Sequence, residues 1–131
     1  MKLLKREYAS PHFKWTELEC KCGRRCDEQG TGQSRYVQEA ALVKLETLRE
    51  SLGPLRINSC CRCPVHNAKI GGAPLSMHRA TPSRPARAFD IRLDYPKNDI
   101  ILAAAEAGFK GIGVNYRTFV HVDNRIRRVR F

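Results

Sequence analysis

The sequence has no apolar run near the ~20 residues that a membrane-spanning helix needs, which excludes a helical membrane protein. It has no internal repeat and no low-complexity linker, so solenoid arrays and extended spacers are excluded too. Aromatic residues make up only 8% of the chain, and they are not interleaved with the arginines; only Phe89 and Phe131 lie close to them. A stacking platform for single-stranded nucleic acid is therefore disfavoured. Acidic residues are also few, with 13 Asp+Glu against 24 Lys+Arg and a net charge of +11. The opening stretch Met1–Lys5 is too short an apolar segment for a signal peptide. Synthesis in the cytoplasm is expected, with thiols kept reduced.

What is present bounds the answer further. The 131 residues are one domain's worth of chain, and a 42% hydrophobic content excludes wholesale disorder. A single domain over 1–131 is expected, with 1–35 an irregular cysteine-containing leading segment. The positive charge is clustered: Arg79, Arg84, Arg87 and Arg92 in one stretch, Arg125, Arg127, Arg128 and Arg130 in another. Such clusters serve either as a solvated surface or as a field that attracts phosphate or carboxylate polymers. Three classes compete: a nucleic-acid binder, a metal protein and an enzyme acting on an anionic polymer.

The six cysteines fall in two groups. Cys20, Cys22 and Cys26 form C-x-C-x3-C; Cys60, Cys61 and Cys63 form C-C-x-C. Neither is a standard C-x2-C knuckle. The spacing leaves open a structural zinc site, a disulfide pair or buried free thiols.

From Tyr36 the pattern is helical, with Val37, Ala41, Leu45, Leu48 and Leu52 on one face and Gly53-Pro54 as the stop. A second helix is expected over Pro64 to Ile70 and a third over Pro96 to Ala107. Strands are expected at Leu55–Asn58, Ala88–Leu93, near Val114 after a turn flanked by Gly111 and Gly113, and at Phe119–Asp123, with a further one at Ile126 to Val129. Local strands between helices predict an α+β fold with a small, mostly antiparallel sheet and flanking helices.

His78, Asp90 and His121 are the residues with which this chain can offer zinc three protein ligands. Along a strand, His121 and Asp123 share one face while Val120 and Val122 point into the apolar layer. A lone strand histidine is more often structural than metallated. The other histidines, His12 and His66, carry no comparable context.

At these residues the sequence resembles the zinc D-Ala-D-Ala carboxypeptidases and L-alanyl-D-glutamate endopeptidases of bacteria and their phages. Ser76-Met77-His78 begins the hallmark S-x-H-x-x-G-x-A-x-D, and Ala88-Phe89-Asp90 closes it. Phe119–Asp123 resembles the last ligand strand. Ser10–Phe13, Cys20–Gly23, Ile57–Asn67, Gly71–Pro74 and Gly108–Gly113 match further pieces in order. Thr81–Pro85 reads as a five-residue insertion in the hallmark, Ala86 stands nearest the hallmark glycine, and Thr118 occupies the position where many relatives carry an acidic base.

The resemblance implies the zinc peptidase fold shared with Hedgehog-like domains, and a catalytic zinc on His78, Asp90 and His121. It implies hydrolysis of an amide bond in a peptidoglycan stem peptide, in cell-wall remodelling or endolysin-like degradation, by a phage or prophage protein that reaches the wall after lysis or by separate export. Arg62 would stabilise the oxyanion and bind substrate, with Ser76 and Tyr116 as further substrate contacts. Asp123 would serve as the base, or orient a histidine or arginine from behind. A second, structural zinc on the cysteines is compatible with this. A monomer is expected, and the partners are stem peptides or an anionic wall polymer. The alternatives are a catalytically inactive relative and a basic cysteine-zinc module that binds nucleic acid.

Overall fold

The computed structural model describes residues 7–131, so the Met1–Lys5 stretch weighed above as a leader lies outside the described residues. The chain enters through an antiparallel hairpin, β1 (Tyr8–Ser10) and β2 (Phe13–Lys14), followed by one helical turn, α1 (Trp15–Leu18). These strands are too short to show an alternation in the sequence. They are held against the next helix, α2 (Glu39–Leu52), by one carboxylate. Glu46 accepts from the Ser10 hydroxyl at 2.6 Å, from the His12 backbone N–H at 2.8 Å, and faces His12 Nδ1 at 2.7 Å.

The helix α2 buries Ala41, Leu45 and Leu48 of the predicted row and adds Leu42; Val37 precedes the helix and Leu52 is half-buried. Leu45 and Leu48 are fully buried, and each contributes about 2 kcal/mol of burial. It starts at Glu39 rather than Tyr36 because the preceding residues are extended and pair with Ala86. Gln38 N–H donates to Ala86 O at 2.8 Å, and Ala86 N–H to Tyr36 O at 2.8 Å. Gly53 ends it at φ 109°, its N–H on Arg49 O.

After α2 come β3 (Ile57–Ser59), α3 (Pro64–Lys69), β4 (Ala88–Arg92), α4 (Lys97–Ala107), β5 (Gly111–Gly113), β6 (Phe119–Asp123) and β7 (Val129–Arg130). The main sheet runs β3-β4-β6-β5-β7, antiparallel except for the β5–β7 pair. This is the mixed α+β fold with a small antiparallel sheet that the pattern predicts. One sheet face is apolar: Phe89, Ile91, Val120 and Val122 are all fully buried in the core. The opposite face carries the polar residues of the same strands, and the β4–β6 register sets Asp90 opposite His121 and Ala88 opposite Asp123.

The expected strand near Val114 lies earlier, on the glycines themselves. Gly111 pairs with Asp123 and Gly113 with His121. A Cβ on Gly111 would run into the Asp123 carboxylate; one on Gly113 would meet His121 Cβ and Phe131 at 2.9 Å. The glycines are strand residues chosen for close approach, not turn residues.

Two predictions follow from this packing. Gly111→Ala is expected to cost about 1–3 kcal/mol by overpacking, read as a lower denaturant midpoint; an unchanged midpoint would contradict the close approach. Glu46→Gln is expected to cost about 1–2 kcal/mol at neutral pH. Burial raises the Glu46 pKa, but the bonds from Ser10 and His12 outweigh it and hold the carboxyl below its ordinary 4.5. A depressed carboxyl stabilises the fold above its ordinary pKa and loses that contribution as pH falls. The stability gap between wild type and variant should therefore close in urea titrations below pH 4.5.

Candidate active site

Three side chains meet above the polar face of the sheet. Asp90 and His121 come from adjacent strands in register, and His78 arrives from the loop between α3 and β4. His78 Nε2 lies 3.0 Å from Asp90 Oδ1 and 3.3 Å from His121 Nδ1; His121 Nδ1 lies 3.1 Å from Asp90 Oδ1. All three residues are buried.

The outer nitrogens decide what these atoms are. His78 Nδ1 is 2.8 Å from the Cys60 carbonyl, which can only accept, so Nδ1 carries the proton. His121 Nε2 donates to Asp123 Oδ2 at 2.7 Å. With each ring's proton on that outer nitrogen, a neutral ring turns a bare lone pair inward, toward an anionic oxygen. Three acceptors at this spacing repel one another unless a cation stands between them. Two imidazole nitrogens and one carboxylate oxygen are a zinc donor set, and ligands at 2.0–2.1 Å from a tetrahedral centre lie about 3.3 Å apart. The residues present fit a metal ion.

The electrostatics agree. Burial raises the Asp90 pKa, but bonds to His121 and His78 outweigh it and hold the carboxyl well below the usual range. Burial likewise opposes ionisation of Asp123, yet bonds from Arg125 and His121 bring it to about 2. Burial lowers the His121 pKa, but its bonds to Asp123 and Asp90 raise it by more.

His78 is fixed by backbone. Arg62 N–H donates to His78 O at 2.8 Å, Ala80 N–H to Arg62 O at 2.7 Å, and His78 N–H to Ser76 Oγ at 3.2 Å. The segment Thr81–Pro85, read above as an insertion, does not loosen this. Thr81 and Arg84 close the insertion by mutual backbone bonds at 3.1 and 3.2 Å, and Arg87 N–H returns to Met77 O at 2.9 Å. The Arg84 guanidinium then ties the insertion to Ser76 O at 3.2 Å and Leu75 O at 3.3 Å. Ala86, nearest the hallmark glycine, is fully buried in its pairing with Val37.

The three donors lie on the wall of a cleft of about 650 Å³. Arg62, Ser76 and Tyr116 line it as well, with Ile70, Leu75, Phe119 and Phe131 supplying apolar surface. The Arg62 guanidinium is 3.5 Å from Asp90 Oδ2. Asp123 is placed differently from a base. Its side chain is fully buried, does not line the cleft, and has both oxygens engaged: Oδ2 by His121 and Arg125, Oδ1 by Arg125 at 2.7 Å. Thr118 is exposed and off the cleft wall.

Arg125 and Phe131 are site residues that sequence reasoning missed. Arg125 sits two residues after Asp123, a same-face spacing that could have marked it. Phe131 packs 5.3 Å from the His121 ring and 5.2 Å from the Arg125 guanidinium, and no local signal announces it. The cysteines separate. Cys20, Cys22, Cys26 and Cys63 come together as a second group able to hold a metal, whereas Cys60 and Cys61 are buried in the core outside it.

Among curated proteins none matches the chain. The family model described as Peptidase M15 matches residues 11–123. That span runs from the β1–β2 turn through the end of β6 and takes in His78, Asp90 and His121. The chain belongs to the peptidase M15 family, whose members are zinc-dependent peptidases.

Proposed function

We propose that this chain hydrolyses an amide bond in the peptide stem of bacterial peptidoglycan, as a carboxypeptidase or an endopeptidase. The observation that carries the reading is the convergence of two inward lone pairs and one carboxylate oxygen on the wall of a peptide-sized cleft. His78 Nε2, Asp90 Oδ1 and His121 Nδ1 would hold the zinc. Zinc bound there supplies Lewis-acid activation of a water molecule and of the scissile carbonyl.

The rest falls to side chains. Arg62 puts a positive charge beside the donor set, where the carbonyl oxygen gains negative charge in the transition state. Ser76 and Tyr116 frame the substrate from opposite chain segments, and the apolar side chains of the cleft suit the alanine methyls of a stem peptide. Asp123 is a positioning residue: it fixes the His121 tautomer, and Arg125 fixes Asp123. The basic surface suits an anionic wall polymer. Release by lysis, from a phage or prophage source, is the route to the wall that fits this reading.

One observation favours a second reading, a relative that binds zinc and stem peptide without cutting. Among the described residues, Asp90 is the only carboxylate on the cleft wall, so no free acid stands ready as a proton acceptor. Digestion of purified peptidoglycan decides between them. Hydrolysis should stop with a chelator, return with zinc, and vanish in His78→Ala. Zinc bound at His78 with no cleavage of any stem peptide would establish the second reading instead.

Asp123→Asn separates positioning from base chemistry. It should weaken zinc binding about 10–100-fold, as loss of a carboxylate behind a ligand histidine does. A variant that keeps wild-type zinc affinity but loses turnover would return Asp123 to the role of base.

A further inference from the structure

The second thiol group lies outside the cleft, and the proposed hydrolysis does not use it. Cys20, Cys22 and Cys26 come from the loop after α1; Cys63 is the residue that caps α3. One sulfur from each converges, and all four lie within 4.8 Å of one another. Four thiolates around a tetrahedral zinc at about 2.3 Å would lie about 3.8 Å apart, so only a small contraction separates this arrangement from a filled site. None of the four is in a disulfide.

The second observation is in the backbone. Each sulfur accepts an N–H: Cys20 from Cys63 at 3.3 Å, Cys22 from Arg24 at 3.3 Å, Cys26 from Ser34 at 3.2 Å, and Cys63 from His66 at 3.4 Å. Amide donors aimed at sulfur favour the thiolate over the thiol, and they orient it as partners behind a metal ligand do. Buried thiols serving only as small hydrophobes need no such donors. Four thiolates and a zinc ion sum to a charge of −2, and Lys21, Arg24 and Arg25 stand within the same loop to offset it.

We propose that Cys20, Cys22, Cys26 and Cys63 bind a structural zinc ion, independent of the metal at His78, Asp90 and His121. The ion ties a loop with little regular structure to the start of α3. Through that anchor it bears on the cleft, because Arg62 precedes Cys63 directly and the Cys60 carbonyl holds His78 Nδ1. Cys60 and Cys61 take no part. Zinc binding displaces one proton from each thiol, so affinity should fall as pH is lowered.

The test counts metal in the full-length protein and uses cobalt as a spectroscopic probe. Wild type should hold two zinc per chain, His78→Ala/His121→Ala one, and Cys26→Ser one. The double histidine variant keeps every cysteine, so it remains informative if Cys26→Ser fails to fold. Loaded with cobalt, it should show the intense thiolate-to-cobalt charge-transfer band of a tetrahedral four-sulfur site. Absence of that band, or disulfides among the four cysteines in protein purified without reductant, would overturn the proposal. So would iron rather than zinc in the protein as isolated.

Discussion

Three electron-rich atoms facing one another inside a protein are the constraint on which the rest of this structure depends. His78 Nε2, Asp90 Oδ1 and His121 Nδ1 stand 3.0–3.3 Å apart with no hydrogen to share if both rings are neutral. Such a cage holds only if each member is pinned from behind. The Cys60 carbonyl pins His78 and Asp123 pins His121, and Arg62 balances Asp90 from the side. Pinning His121 requires a second buried carboxylate, which in turn requires Arg125. That carboxylate requires space on the neighbouring strand, which is why β5 has glycine opposite Asp123 and opposite His121. A chain of local demands thus leads from the donor atoms to the composition of a strand that touches no substrate.

The segment 60–63 concentrates the support. Cys60 holds His78 through its carbonyl, Arg62 reaches the cleft and pairs with the His78 backbone, and Cys63 joins the thiol group and caps α3. Cys60 and Cys61 lie outside the group of four thiols. Both are buried in the core, and Cys61 points its sulfur at Tyr36 O, 3.5 Å away. The segment therefore acts through both kinds of atom: the Cys60 carbonyl and the Arg62 backbone hold His78, while the Arg62 guanidinium reaches the cleft and the Cys63 sulfur joins the thiol group. The insertion at Thr81–Pro85 obeys the same logic. It closes on itself and uses Arg84 to brace the residues before His78, so a lengthened loop leaves the ligand where the sheet needs it.

The periodic features were legible in the sequence: α2 from its apolar row, and β4 and β6 from their alternation; the resemblance named His78, Asp90 and His121, which the fold brings together as a group able to hold a metal. The missed features have physical reasons. The β1–β2 hairpin is two and three residues long, below the length at which alternation carries information. Gly111 and Gly113 read as turn residues because the sequence does not show what stands opposite them. The start of α2 shifted because Tyr36–Gln38 pair with Ala86, a contact across some fifty residues. Asp123 was correctly placed on the face of His121, but only the three-dimensional arrangement shows it behind the histidine rather than before the substrate. Four cysteines of six could be grouped only by bringing Cys63 back to the leading loop.

The net charge of +11 takes a different meaning once partners are assigned. Two arginines of the clusters that looked like a binding surface are engaged within the fold, Arg84 on carbonyls and Arg125 on Asp123, and Arg62 stands beside Asp90. Near the cleft, Arg62 and Arg125 offset two buried carboxylates, so that corner is close to neutral before any metal binds. A divalent cation held by the three donors would make it positive. Under the proposed function, such a cleft would favour a developing oxyanion, while the exposed arginines near β7 lie apart from it. The charge that first suggests nucleic acid is thus divided: Arg62 and Arg125 balance the buried carboxylates, and Arg127, Arg128 and Arg130 stay on the exposed surface.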